Sequence, residues 1–155
     1  NMAHLKDLAE FRKNIIAPVA GSEALGTALW YRDALALDAI DYMHYDLGWI
    51  GGISEAIKIS GIAHANNRMM CPHDCTGPIV WIANLHISLA FSSSMILESV
   101  RSYYNGFYKN LVNNLPRIDK GLAFPMDGVG LGTDLQDSLL KSPNTIIRKT
   151  TKNDL

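Results

Sequence analysis

The sequence predicts an α/β fold, half of a (β/α)8 TIM-type barrel, and three observations predict it. Short apolar runs alternate with stretches of helical apolar spacing, the pattern of buried parallel strands joined by crossover helices. Four of those runs end in a residue that can ionise, Glu23, Asp46, His73 and Glu98, at separations of 23, 27 and 25 residues. One such residue at the C-terminal end of each successive strand is the arrangement of a barrel active site. The chain has 155 residues, whereas a complete barrel needs about 250, so four βα units amount to half of one.

The elements follow in order. LKDLAEFRKN, residues 5–14, has helical apolar spacing and ends in basic residues. IIAPVAGSE, residues 15–23, is a short apolar run closed by Gly and Ser and reads as a buried strand. Residues 24–39 are helical. DYMHYDLGWIGG, residues 41–52, reads as a strand running into a glycine loop. Ser54 then stands where an N-cap is wanted, ahead of an amphipathic helix over residues 55–67. Residues 68–74 are the third strand, and residues 77–91 a helix with Pro78 in its first turn. Residues 94–99 are the fourth strand and residues 100–114 are mostly helical. After Pro116 the chain is rich in Gly and Pro, which predicts short strands and turns to residue 135. The tail, residues 141–155, is polar and expected to fray. Residues 1–116 are thus assigned to the partial barrel and residues 117–155 to a C-terminal extension and tail.

Composition removes several classes of function. Hydrophobic residues make up 48% of the chain and its net charge is −1. That is globular, with no basic footprint for nucleic acid or an anionic membrane surface. No apolar run approaches the ~18 residues of a membrane span, and no secretory leader is recognisable. Cys71 and Cys75 are the two cysteines. A disulfide between them closes a tiny loop and stabilises little, so both are expected as free thiols in a reducing, cytoplasmic setting.

The stretch MMCPHDCTGP, residues 69–78, raises a metal knuckle as an alternative. Cys71, His73 and Cys75 are zinc ligand types, but a structural zinc site wants four ligands, usually as two separated pairs. No second cysteine pair exists, and His64 and His86 have no partner spacing. A doubly wound sheet is the competing fold. It puts a glycine fingerprint after its first strand, and the one glycine-rich candidate, GVGLG at residues 128–132, comes late and follows no convincing strand.

With these residues in view, the chain resembles the C-terminal half of the mandelate racemase and acid-sugar dehydratase branch of the enolase superfamily. The resemblance is carried by AGSE, DLGWIGGISEAIKISGIAHA, CPHDCTGPI, LHISLAFSSSMILESVRSYY and PRIDKGLAFPMDGVGLGTDL. The PHDCTGPI form favours the galactonate dehydratase-like side. The resemblance implies three Mg²⁺-binding carboxylates on the third, fourth and fifth strands, with Glu23 as the last of them. It implies a paired base of Asp46, on the sixth strand, and His73, on the seventh. It gives Glu98, on the eighth, a hydrogen bond to the substrate carboxylate as that becomes an enediolate.

The chemistry agrees with those roles. Removing a proton α to a carboxylate builds negative charge that a metal and an aimed donor stabilise. Histidine titrates near neutrality and can take the proton. A neighbouring aspartate fixes its tautomer and supports its charged form. Dehydration also needs an acid to expel the β-hydroxyl. Each residue has a plainer reading. His73 fits a buried histidine bonded to backbone, Asp46 a turn cap, Glu23 a helix N-terminal acid, and Glu98 a partner for Arg101. Asp74 is pointed away from the site by strand alternation. His44 alternates in phase with Asp46, which allows it to line the barrel, but core packing is the preferred reading; Trp30, Tyr31 and Trp81 fit helix packing. Cys71 reads as filler, and Tyr103 to Tyr108 as core or interface.

Set against that family, the chain lacks a capping domain, the first four strands, two metal ligands and the second acid/base. Three readings follow: part of a Mg²⁺-dependent acid-sugar dehydratase, a racemase or epimerase of the same superfamily, or a non-catalytic half-barrel. The substrate class is a sugar acid or small hydroxy acid. The exposed edges of a half-barrel predict pairing with a second copy or with an N-terminal half. The extension, residues 117–135, is expected to pack on the capping domain and to leave its apolar residues without a partner otherwise.

Overall fold

The computed structural model describes residues 2–152. Its centre is a parallel sheet in sequence order: β1 (Ala20–Gly21), β2 (Tyr42–Met43) and β3 (Met69–Met70). A fourth segment extends it. Ser94 bridges to Met70 in the parallel sense, and the amides of Met95 and Glu98 donate to the carbonyls of Met70 and Pro72. Helices α1 (Leu5–Lys13), α2 (Ala28–Ala36), α4 (Ile53–Ala65) and α5 (Pro78–Ala90) pack in series, α1 on α2, α2 on α4 and α4 on α5. Successive helices that touch one another lie on one side of the sheet. That is the wall of a barrel, since a doubly wound sheet divides its helices between two faces.

The core lies between that helical layer and the sheet. Tyr31, Ile40, Met43, Tyr45, Ile59 and Met70 are fully enclosed there. A second cluster is built on Trp81, Ile82 and Tyr108. The hairpin β4 (Ile118–Asp119) and β5 (Leu122–Ala123) brings Ala123 against it, and Met126 and Leu131 follow. Part of the extension therefore has a partner within this chain, although Leu122 and Val129 remain exposed.

Several elements are shorter than the sequence predicts, each for a physical reason. The first strand holds only Ala20–Gly21, because Pro18 has no N–H to donate and Ile16 is fully exposed. The second strand leads not into a loop but into a short helix, α3 (Leu47–Ile50), which Asp46 caps by accepting from the Gly48 amide. Gly51 ends that helix at φ 111°, a conformation that favours glycine. Ser54 is not a cap, since α4 starts one residue earlier behind Gly52. Helix α2 waits for Thr27, because Gly26 lies against the Tyr31 ring where a Cβ would approach within 2.5 Å. The fourth strand is reduced to the Ser94 bridge. The helix after it, α6 (Arg101–Asn105), breaks at Gly106 and gives way to a 3₁₀ turn at Phe107–Asn110. Helix α7 (Asp137–Leu140) precedes the tail, which is irregular from residue 143 to 151, and residues 153–155 lie outside the described residues. No helix among the described residues is long and apolar enough to cross a membrane.

Candidate active site

The strand registers decide which polar residues meet. Met43 lies opposite Met70, an offset of 27, the same as the spacing of Asp46 and His73. Carried up the strands, that register puts Asp46 and His73 level with each other. Gly21 lies opposite Met43 and Met70 opposite Ser94, offsets of 22 and 24. Each is one short of the corresponding spacing, so Glu23 comes level with Tyr45 and Glu98 with Asp74.

The side chains follow. His73 Nδ1 lies 2.9 Å from Asp46 Oδ2. Asp46 is fully buried and its carboxylate also accepts from the Gly48 amide at 2.8 Å and from the Thr76 hydroxyl at 3.0 and 3.2 Å. Its role as a turn cap and its contact with His73 are therefore both present. With its orientation fixed by these donors, Asp46 holds the His73 ring with Nδ1 inward and leaves Nε2 facing the rim. Trp49 lies tilted against that ring, centroids 5.5 Å apart.

Glu98 enters from the fourth segment. Its Oε2 accepts from the Asp74 amide at 3.1 Å, lies 3.2 Å from His44 Nε2 and 3.9 Å from His73 Nε2. Its partners are these groups rather than Arg101. Below it, Trp81 Nε1 donates to the Glu98 carbonyl at 3.0 Å. Glu23 lies five residues ahead of α2, outside its first turn, with Oε2 3.9 Å from His44 Nδ1.

His44 corrects the sequence reading. It is not core packing: the side chain stands between Glu23 and Glu98, with its ring 5.2 Å from that of His73. The signal was its phase with Asp46, two residues on. Tyr31 holds the backbone here, donating to the carbonyls of Ser22 and His44 at 3.0 and 2.8 Å. Thr76 was also missed, and nothing in the spacing distinguishes it from any loop threonine.

Asp74 does point away from the rim. It is buried, accepting from Tyr108 Oη at 2.6 Å and from the Val100 amide at 2.7 Å. Burial raises its carboxyl above the usual range against those two bonds. It braces the turn that presents His73 and Glu98. Burial, then the Glu98 carboxylate, pushes the Cys71 thiol to about 11, so Cys71 is an inert filler at neutral pH. Cys75 is exposed, and its Sγ lies 3.9 Å from His73 Nδ1.

Among the described residues, one group of potential metal ligands comes together, Asp46, His73 and Cys75, with ligand atoms within 4.8 Å of one another. Glu23 is not in it. Magnesium takes several oxygen ligands in near-octahedral geometry, and Glu23 offers one carboxylate. Among the described residues, no group of carboxylates comes together around Glu23.

Residues 1–139 match the family described as enolase C-terminal domain-like. The chain belongs to that family. A solved enolase protein from environmental genome sequencing of the Sargasso Sea is 34% identical, with a TM-score of 0.88 over 98% of this chain and 40% of that one. An enolase of the mandelate racemase subgroup from Agrobacterium tumefaciens is 36% identical, with a TM-score of 0.83 over 91% of this chain and 38% of that one. Among curated proteins, the arabinonate dehydratase of Saccharolobus solfataricus is 29% identical over 86% of this chain and 35% of its own length. The D-galactonate dehydratase of Verminephrobacter eiseniae is 29% identical over 79% of this chain and 34% of its own. The chain spans about a third of the length of these curated relatives.

Proposed function

We propose that this chain is the base-bearing part of an acid-sugar dehydratase. His73 removes the proton α to a carboxylate and the β-hydroxyl then leaves as water. The single observation that carries the reading is the Asp46–His73 pair, with Nδ1 engaged at 2.9 Å and Nε2 turned to the open rim. The names of the curated relatives support the substrate class, an aldonic acid.

In this reading the α-proton passes to His73 Nε2. The electron pair it leaves delocalises into the carboxylate as an enediolate, which expels the β-hydroxyl once that oxygen is protonated. The enol then tautomerises to an α-keto acid. Asp46 sets the His73 tautomer through Nδ1 and supports the imidazolium. Glu98 Oε2 is occupied as an acceptor, so a hydrogen bond from Glu98 to the substrate carboxylate needs a proton on Oε1. His44 steadies Glu98 from the other side. Magnesium, when bound, supplies charge neutralisation at the substrate carboxylate. Glu23 is this chain's one ligand of the resembling family's set, so magnesium binding by the isolated chain is expected to be weak. Millimolar-or-tighter binding by calorimetry would contradict that.

The test measures α-keto acid formation and α-proton exchange in D₂O from a panel of aldonic acids. It uses the chain alone and a chimera in which the chain replaces the matching segment of the Verminephrobacter enzyme. Little turnover is expected from the chain alone. In a folded chimera His73→Asn is expected to abolish both exchange and elimination. Activity that survives His73→Asn would sink the assignment of the base. Exchange with inversion at the α-carbon and no keto acid would replace dehydration by racemase or epimerase chemistry.

A further inference from the structure

The zinc reading of MMCPHDCTGP fails on sequence spacing because it counts ligands along one strand. The fold supplies a different third ligand. Cys71 is half-buried and points elsewhere, while Asp46 arrives from the neighbouring strand end beside His73 and Cys75. These three side chains offer a thiol, an imidazole nitrogen and a carboxylate oxygen, the donor mixture of a borderline-soft metal rather than of magnesium.

We propose that Asp46, His73 and Cys75 form a binding site for a soft divalent cation of the zinc class, and that an ion there disables the base. Tetrahedral zinc with its usual bond lengths separates its sulfur and nitrogen ligands by about 3.6 Å and its nitrogen and oxygen ligands by about 3.3 Å. Cys75 Sγ lies 3.9 Å and Asp46 Oδ2 2.9 Å from His73 Nδ1. Those two edges differ from the tetrahedral ones by about 0.3 and 0.4 Å, and the remaining edge, between Cys75 and Asp46, lies within 4.8 Å. The potential also favours a cation. Asp46, Asp74, Glu98 and Glu23 all act on the Cys75 sulfur with the same negative sign, and no Lys or Arg among the described residues forms an ion pair with any of the four. Thr76, bonded to both oxygens of Asp46, orients that ligand from behind.

Binding releases the Cys75 proton, and the proton that His73 Nδ1 shared with Asp46 moves to Nε2, so the ring stays neutral and Nε2 no longer has a lone pair to accept a proton. The metal then holds the nitrogen that Asp46 held. The consequence for catalysis rests on His73 acting as the base; the binding does not.

The test is therefore a binding experiment with the metal alone. Calorimetry with Zn²⁺ on the reduced full chain is expected to show one equivalent bound. Cys75→Ser, a change at an exposed position, is expected to weaken it on the order of 100-fold and Thr76→Val about tenfold. Cys71→Ser is expected to leave it unchanged. Cd²⁺ substitution reads the same question without a variant, since the thiolate charge-transfer intensity counts sulfurs, one per ion here against two for a Cys71–His73–Cys75 knuckle. No bound zinc, zinc that Cys75→Ser keeps, or two sulfurs per cadmium would each overturn the proposal. Zinc bound as described, in a chimera whose activity survives His73→Asn, would leave the site standing and remove only its effect on catalysis.

Discussion

The two ends of the short sheet carry charged clusters of similar size and opposite design. At the N-terminal ends of the strands, Arg12 reaches Asp38 at 2.6 Å and Asp41 at 2.5 Å, and Arg68 reaches Asp38 at 2.5 Å and Asp41 at 3.6 Å. Asp41 also accepts from the Val19 amide at 2.8 Å. Two guanidiniums meet two carboxylates there and close the lower rim. At the C-terminal ends, the ion-pair partners of Glu23, Asp46 and Glu98 among the described residues are the imidazoles of His44 and His73. Guanidiniums stay charged at any working pH and lock their partners. Imidazoles exchange protons near neutrality and leave theirs available. One sheet thus puts permanent neutralisation at the end that needs stability and titratable neutralisation at the end where chemistry is expected.

The largest effect should come from the pair of aspartates that flank β2, Asp41 before it and Asp46 after it. Asp46→Asn keeps an acceptor for the Gly48 amide and for Thr76 but loses the charge behind His73. Turnover in the active chimera is expected to fall roughly 10³- to 10⁴-fold, while stability moves by only about 1–2 kcal/mol. Asp41→Ala should do the reverse. It strips an acceptor from a backbone amide and from two guanidiniums and is expected to lower unfolding free energy by about 2–4 kcal/mol. Urea melts and keto-acid rates on both variants decide the matter. A large loss of activity in a folded Asp41→Ala protein would mean that the lower cluster serves the site after all.

Acid sharpens the same contrast. The Arg12 hydrogen bond, against partial burial, holds the Asp41 carboxyl below its ordinary range, with the Val19 amide helping. A depressed folded value stabilises above the unfolded value, about pH 3.9, and that contribution is lost as pH falls through the folded value. Asp74, beneath the upper rim, has the opposite sign. Its carboxyl is raised by burial, so the stability tied to its protonated form is present below about pH 4 and is lost as pH rises through the raised folded value. The stability gap between wild type and Asp41→Ala is therefore expected to be full above about pH 5 and to close as the solution is taken below pH 4. A gap that stays constant into acid would show that Asp41 acts by packing and not by charge.

How much of this was legible in the sequence follows from what fixes each feature. The order of strands and helices was legible because hydrophobic periodicity reports which faces are buried, and the helices α4 and α5 came within two residues at either end. The meeting of Asp46 and His73 was legible because their spacing equals the strand offset. Strand ends were not, since their pairing depends on neighbours rather than on the run itself. IIAPVAGSE shows this, with only two of its nine residues in a strand. Ser54 failed as a cap because a glycine two residues earlier takes the strained turn. His44 alternates in phase with Asp46, but phase alone does not separate a rim histidine from a packed one; its place between Glu23 and Glu98 depends on two other strands. The Arg12 and Arg68 network joins residues 26 to 30 positions apart, a distance that no local pattern reports.

Arg68 offers the smallest and most discriminating test of the lower rim. It is 29% exposed and spans two acids with separate nitrogens, a geometry that a planar guanidinium provides and a single ammonium does not. Asp38 is more exposed than Asp41, so much of the interaction is open to solvent screening. Arg68→Lys preserves the charge and removes only the fork. It is expected to lower stability by about 0.5–1 kcal/mol. If the difference is electrostatic, 1 M salt should shrink it, since the screening length falls to about 3 Å. A difference that ignores salt would place the value of Arg68 in its packed aliphatic stem. No difference at all would mean that the fork contributes nothing, and that any single positive charge at position 68 serves the lower rim as well.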